Sequence, residues 1–514
     1  MRHIFIQFFS FSTTMCLVVM ASAQWNQQGD DLVSTLEDAS TGWAVDLNED
    51  GTVAAVGSRD GGSNGFNSVG DAQAYHWTGD AWEPRGEAII GENENAWCGA
   101  SVALNAAGDV MAVGSTGVPN ANGVLVGRVR VYEWDGVMWN LRGAPLMGLE
   151  NPINYSTFYG HSVDLSADGA SVAVGGPYRW SLDESLQSVG YVEVYDWTGE
   201  AWILRGEGIY GSEEHNMNLG FDVALSADGE TLVTGAQSFG PGWQENPRGL
   251  VRVYAWEDGG WTPKGQEFLG ALPGDAAGRS VSIANGGNTI AFSAPLSDYG
   301  VPGNFEGEVM VYDWESDAWA QRGETLSSLE FHDNFGESIS LSSDGTRLAV
   351  GAPFTPNEVD VFHNAGLGTV YEWQGQEWVQ ICDPIFGGSH MAFANEVAIS
   401  GDGSTFILGS FGFEPSGRAR VFRDAEWVNS VSESNLQGAS VKCFPNPSTG
   451  SLTLSGFEGV VGLELRTATG QITSTWEECQ APFTLDLSNF APGIYTVHGV
   501  TDMFQFTHKV LLQD

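Results

Sequence analysis

Aromatic, acidic and imidazole side chains that follow no regular spacing are the first candidates for chemistry in this chain: Trp97, Tyr155, Phe158, Trp180, His215, Trp243, Asp298, Tyr299, Phe305, His332 and His390. Aromatic faces beside acids suit a sugar or a peptide, and a histidine beside a carboxylate can move a proton. Trp180, Trp243, Tyr299 and His332 are the ligand-contact candidates among them. The alternative is that these side chains pack their own loops. No Ser/His/Asp order, paired-acid spacing or phosphate-cradling glycine loop can be assigned, so no catalytic residue is named and enzyme activity stays open.

The elements that must position such residues do repeat. Residues 335–378 define the unit: Phe335-Gly336, the alternating Ile339-Ser340-Leu341, a Ser343-Asp344-Gly345 turn, apolar Leu348-Ala349-Val350, Gly351-Ala352-Pro353, a loop, then Val370-Tyr371-Glu372-Trp373 and Trp378. Its turn glycine recurs at Gly51, Gly108, Gly169, Gly229, Gly287, Gly345 and Gly403, in steps of 57, 61, 60, 58, 58 and 58 residues. A fixed period of that size, filled by short strand patterns, marks an array of small sheets.

Within each unit the first segment alternates apolar and small or polar residues, as in Val163 and Leu165 or Val397 and Ile399. Period two buries one face. Ser166-Ala167-Asp168-Gly169 and its equivalents then give a tight turn, because Asp bonds its own backbone and Gly accepts positive φ. The second strand is small and apolar, which suits a crowded place near an axis. The third leads into tryptophans five apart: Trp77 and Trp82, Trp134 and Trp139, Trp197 and Trp202, Trp256 and Trp261, Trp314 and Trp319, Trp373 and Trp378. Flanking a four-residue turn, each pair meets across a hairpin and contributes roughly 0.5–1 kcal/mol. Recurrence in six units makes them framework rather than a carbohydrate ladder.

After the second tryptophan comes a cation and a glycine: Arg85-Gly86, Arg142-Gly143, Arg205-Gly206, Lys264-Gly265 and Arg322-Gly323. The expected role is a bond to a carbonyl or acid of the adjacent unit. Four strands in each of seven units predict an all-β chain, a seven-bladed β-propeller, followed by a small immunoglobulin-like β-sandwich. The segment Trp25-Asn26-Gln27-Gln28-Gly29 has the pattern of a fourth strand, and the last unit lacks one, so the N-terminal segment is expected to complete the last blade and close the ring. Short turns would share one rim and the long loops, with the unrepeated residues, the other.

Phe335-Gly336 and Gly351-Ala352-Pro353 spell out the FG-GAP repeat, and residues 24–431 resemble the FG-GAP propellers of integrin α-subunits. That resemblance implies calcium as a possible cofactor in the first turn, where Asp46, Asn48 and Asp50 place oxygens at alternate positions; the ninth position is Ala54, and a plain turn is the alternative.

Composition limits the partners. Sixty-five acidic residues against twenty basic ones give a formal charge of -45, which repels nucleic acid and anionic lipid. Arg2 and His3, the apolar run Ile4 to Met20 and Ala21-Ser22-Ala23 predict a signal peptide over 1–23; a transmembrane helix is the alternative, disfavoured by Ser10, Ser12, Thr13 and Thr14. No later segment is long and apolar enough to span a bilayer, and a monomer is expected. Cys98 and Cys382 are expected buried and unpaired, with Cys443 and Cys479 a plausible disulfide pair.

A polar linker, 432–440, precedes a module over 441–514 with alternating strands. Its landmarks are Pro445, Asn446, Pro447 and Gly450, then Gly470, then Pro492, Gly493 and Tyr495, and finally Lys509. In that order they resemble the C-terminal sorting domain of type IX secretion in Bacteroidota; an ordinary adhesive module is the alternative. The resemblance implies the secretion translocon as a partner, passage through the periplasm, and a secreted or outer-membrane surface location. The function expected is a binding or adhesion propeller for an extracellular glycan or protein. The alternative is a secreted polysaccharide hydrolase or lyase working at the long-loop rim.

Overall fold

Alternation followed by a tight Asp-Gly turn does give the first hairpin of each unit, and seven such hairpins surround one axis. The computed structural model describes residues 25–512 except 64, 153–155, 182, 212–216, 239–247, 298–304, 329–332, 357–364, 388–393, 413–415, 425–441, 445–450, 456–460, 468–471, 480–482, 491–492 and 501–504. Blade 3 is typical: Val163–Leu165, Ser171–Gly175, Tyr191–Trp197 and Trp202–Leu204 pair in that order, all antiparallel. Six sheets have this order, and the seventh joins the two ends of the propeller. In it Glu396–Ile399, Thr405–Ser410 and Arg418–Asp424 are completed by Trp25–Gln27, with Trp25 opposite Asp424 and Gln27 opposite Phe422. The protein is a seven-bladed β-propeller closed by its N-terminal strand.

The first turn is held as its residue types require. Ser166 Oγ donates to Asp168 Oδ1 at 2.7 Å and accepts from the Ser171 amide at 2.8 Å, while Gly169 takes φ +66°. Ser226, Ser342 and Ser400 repeat the serine-to-aspartate bond. The residue after the serine, or after the Asn or Ala that replaces it, links the blades into a belt. Backbone N–H groups of Glu49, Ala106, Ala167, Ala227, Asn285 and Ser343 donate in turn to the carbonyls of Ala106, Ala167, Ala227, Asn285, Ser343 and Gly401, and Asp402 N–H returns to Glu49. Seven hydrogen bonds of 2.7–3.2 Å thus draw the hairpin tips together at the short-turn end of the axis. Small residues dominate there because the tips converge.

At the outer edge the tryptophans of each pair stand opposite one another, with ring centroids 5.1–5.5 Å apart. The cation after them reaches the next blade, as expected. Arg205, Lys264 and Arg322 donate to the turn carbonyls of Gly229, Gly287 and Gly345, and Arg322 also grips Asp313 within its own blade. Blade 6 lacks the Arg-Gly step; there Arg347, from the second strand, donates to the Gly403 carbonyl and to Asp424.

Four continuous strands per unit was too simple an expectation. Six blades carry a fifth, two-residue segment, such as Leu146–Met147, which pairs with the start of the third strand. In five of these blades the interruption falls at the Arg-Gly or Lys-Gly step. Gly143 has φ +80°, and a Cβ on it would lie 2.6 Å from Trp197 Cζ3 of the next blade, so the outer strand bends there before rejoining its sheet.

Cys98 and Cys382 are buried free thiols. The C-terminal segment forms a three-stranded sheet, Lys442–Phe444, Ser451–Ser455 and Phe483–Asp486, and a four-stranded one, Ile472–Cys479, Val461–Thr467, Gly493–Val500 and Gln505–Leu512. Leu452, Leu454 and Leu485 from the first meet Leu463, Leu465 and Val497 from the second in one buried cluster. Residues 1–23, expected to be a signal peptide, and the side chains of Cys443 and Cys479 lie outside the described residues. Among the described residues no helix is long and apolar enough to cross a membrane.

Candidate functional site

Each inner strand starts at the long-loop rim and runs down the axis to the belt of turns. Its entry residue is glycine in six blades and Ala394 in the last. At Gly99 the reason is plain: φ is +78° and a Cβ would sit 2.1 Å from the Asp71 carbonyl oxygen. The residue that follows the entry position differs in every blade: Trp43, Ala100, His161, Phe221, Arg279, Glu337 and Asn395. All seven line a cavity of about 700 Å³ on the axis, together with Arg59, Trp97, Phe158, Tyr178 and Gln237 from the long loops and the strand ends leading into them.

The upper wall is aromatic and charged. The Arg59 guanidinium carbon lies 3.5 Å from the centre of the Trp43 ring, and that of Arg279 lies 4.8 Å from the centre of Phe221. Arg279 also donates to Glu337 through Nε at 3.0 Å. Trp97 stacks on Phe158 with centroids 5.9 Å apart, and Phe158 meets Tyr178 edge-on at 5.1 Å. His161 contacts the Phe221 ring at 4.4 Å, and its Nδ1 is 2.9 Å from the Phe221 carbonyl oxygen. A carbonyl only accepts, so Nδ1 carries the proton. Burial, reinforced by Arg279, lowers the His161 pKa to about 4, leaving a neutral ring whose Nε2 is an acceptor.

Deeper in the cavity the side chains clasp blade to blade. Asp46 accepts from the Leu104 amide of blade 2 at 2.6 Å, and Asp164 from Leu225 of blade 4 at 2.6 Å. Ser282 and Ser340 do the same for Leu341 and Ile399. Two residues earlier on the same face, Ser162, Asp222, Ser280 and Ser338 serve Val223, Val281, Ile339 and Val397. Inner strands are sheet edges, and these side chains satisfy N–H groups that have no strand partner. Burial raises Asp46 and Asp164 to about 7 and Glu396 to about 8. A perturbed carboxyl is a functional candidate, but serines fill the equivalent positions of Asp46 and Asp164 (Ser282 and Ser340) and of Glu396 (Ser162, Ser280 and Ser338), and the clasps that Asp46 and Asp164 make give those two a structural role.

The calcium candidates Asp46, Asn48 and Asp50 are engaged in these same bonds. Both Asp46 oxygens accept backbone amides, from Leu47 and Leu104. Asn48 Nδ2 donates to Asp50 Oδ1, while its Oδ1 accepts from Thr52 and Val53. Among the described residues no group of three or more His, Cys, Asp or Glu is placed to hold a metal.

Of the ligand candidates, Trp180 is half-buried, with its amide held by Asn151 Oδ1 at 2.9 Å, and it is not part of the cavity wall. Trp243, Tyr299 and His332 lie outside the described residues, as do Tyr155, His215, Asp298 and His390. Trp97 and Phe158 are brought together at the mouth, while Phe305 is exposed. Sequence reasoning missed the axial ring. Its signal was available: after the entry residue of the inner strand, seven otherwise matching units carry seven different side chains. In the sorting motif, Gly493 and Tyr495 fall in the strand Gly493–Val500 and Lys509 in Gln505–Leu512. Pro445, Asn446, Pro447, Gly450, Gly470 and Pro492 lie outside the described residues.

Fold and cavity together define a β-propeller with an axial site. Its C-terminal residues 442–513 match the family model described as a secretion system C-terminal sorting domain. No curated protein matches the chain. The sorting segment marks the protein as cargo of the type IX secretion system, secreted or attached to the cell surface.

Proposed function

We propose that this is an FG-GAP-like binding or adhesion protein of the cell exterior, taking an extracellular glycan or protein at the mouth of its axial cavity. In this reading a signal peptide over 1–23 precedes a propeller over 24–431. A linker over 432–440 then joins it to a sorting domain over 441–514, folded as an immunoglobulin-like sandwich. The observation that carries the binding reading is the contrast between framework and ring. Trp pairs, Asp-Gly turns and blade clasps recur around the molecule, whereas the ring from Trp43 to Asn395 shows no repetition. A position freed from the repeat, concave and lined by aromatic and charged groups, is the pattern of a ligand site.

A second reading rests on Glu396. Its carboxyl, raised to about 8, is protonated at neutral pH and would suit a general acid in a polysaccharide hydrolase. A glycan array run beside a depolymerisation screen on the same polymers separates the two. Binding without product release, weakened about tenfold or more by Trp97→Ala, is the expected result. Product release that disappears in Glu396→Gln would establish the enzyme instead.

A further inference from the structure

Cations are scarce in this chain, and most of its named arginines bridge blades. Arg85, Arg142, Arg205 and Arg322 each lie near a tryptophan of the neighbouring blade. Arg59 and Arg279 instead line the axial cavity. Arg279 is tied to Glu337 across the wall. Arg59 is less committed. Its guanidinium sits over the Trp43 ring and makes a 3.4 Å contact with Asp60 through one terminal nitrogen; Nε is buried, so the partly exposed terminal nitrogens are the ones a ligand would meet. The Asp60 oxygen that the guanidinium touches already accepts from Ser40 Oγ at 2.8 Å. A stacked guanidinium keeps its planar fork in one orientation, and that fork matches a planar carboxylate.

We propose that the cavity mouth binds the carboxylated sugar unit of an acidic polysaccharide, with its carboxylate on Arg59 and its ring face against the Trp97–Phe158 stack. The inference rests on the glycan-binding reading above and adds the substrate class. The neighbouring chemistry agrees with it. Neutral His161 offers an acceptor for a sugar hydroxyl. Five carboxyls also line the cavity: Asp46, Asp164 and Asp222 accept backbone amides, Glu337 is paired with Arg279, and Glu396 is held largely protonated, which limits their repulsion of an incoming anion. The net charge of -45 would oppose any acidic polymer unless a local cation received it, so the position of Arg59 decides where such a polymer can dock.

The test uses the full secreted chain, with tetragalacturonate, its methyl ester and a neutral tetrasaccharide as probes in titration calorimetry at low and high salt. The ester keeps the sugar faces and removes the charge. Tetragalacturonate is expected to bind about tenfold or more tightly than its ester, with the advantage shrinking as salt rises. Arg59→Gln should erase that difference, and Arg59→Lys, which keeps the charge and loses the fork, should retain only part of it. Trp97→Ala should weaken acid and ester alike. Equal binding of acid and ester, or a preference that survives in both Arg59 variants, overturns the inference while glycan binding itself stands. Failure of every saccharide to bind overturns the glycan-binding reading too. Unchanged melting temperatures in the Arg59 variants assign the loss to recognition rather than to unfolding.

Discussion

Glu396 shows how much a single half-buried carboxyl on the cavity wall can govern in this propeller. Burial lifts it from 4.5 to about 8; Asp222 and Glu337 push in the same direction, and Arg279 and Ser338 oppose. The folded value exceeds the unfolded one, so this group stabilises the fold when protonated. That contribution is complete below about pH 4.5 and is lost as the pH rises through about 8. Asp46 and Asp164 work in the same sense, through about 7. Glu396→Gln removes one carboxyl from this balance. Between pH 5 and pH 9 (roughly the range bracketing these values), urea unfolding should show wild-type stability falling more steeply than that of the variant. At the upper end the variant should be ahead by on the order of 2–3 kcal/mol. Parallel curves would mean that Glu396 is ionised in the folded protein.

Among the elements, the N-terminal strand has the largest consequence for its length. Trp25–Gln27 is three residues long, yet it turns an open array into a ring. Trp25 stacks edge-on against Phe406 at 4.9 Å, and the Arg347 guanidinium carbon lies 5.9 Å from its ring. Gly29 approaches Trp77 and Trp82 as Gly86 approaches Trp134 and Trp139, so the closing strand presents the same face to its neighbour as every other outer strand. Trp25→Ala should therefore destabilise by about 3 kcal/mol. The loss should appear first as faster amide exchange in Arg418–Asp424, whose outer edge it would expose; uniform exchange across all blades would argue against a closing role. This element was legible in the sequence, because a fourth-strand pattern at one end matched a missing fourth strand at the other. The tryptophan hairpins and the cation clasp were legible for a related reason: each is a local pattern or a neighbour contact repeated many times. The break in the outer strand was not, since it depends on Gly143 meeting Trp197, which is distant in sequence. The axial ring escaped for another reason. Long loops, where function usually resides, drew notice away from residues at the starts of the inner strands, such as Trp43 and Arg279, that only the closed ring brings to one mouth.

For the whole molecule, export belongs to the C-terminal segment, and the recognition proposed above would belong to the propeller. The propeller has its own cores, and its hydrogen-bond belt runs from Glu49 round to Asp402 without any residue of the sorting segment. The sorting segment has a separate leucine cluster. Each part thus holds what it needs to fold, and the family match places the export signal in the second. Deleting residues 442–513 should leave a folded propeller that stays in the periplasm, detectable by fractionation and by an unchanged melting transition of the purified domain. Moving the same segment onto an unrelated periplasmic protein should carry that protein to the medium or the cell surface. The two arms guard each other. A deleted form that is degraded would say only that the propeller is unstable, but a fusion that remains periplasmic would show that 442–513 is insufficient as an address. Equal export with and without the segment would place the signal elsewhere in the chain. Because the axial mouth is built wholly from the propeller, any glycan binding found for the full chain, as proposed above, should persist in the deleted form, and its loss there would mean that the tail takes part in recognition as well as in delivery.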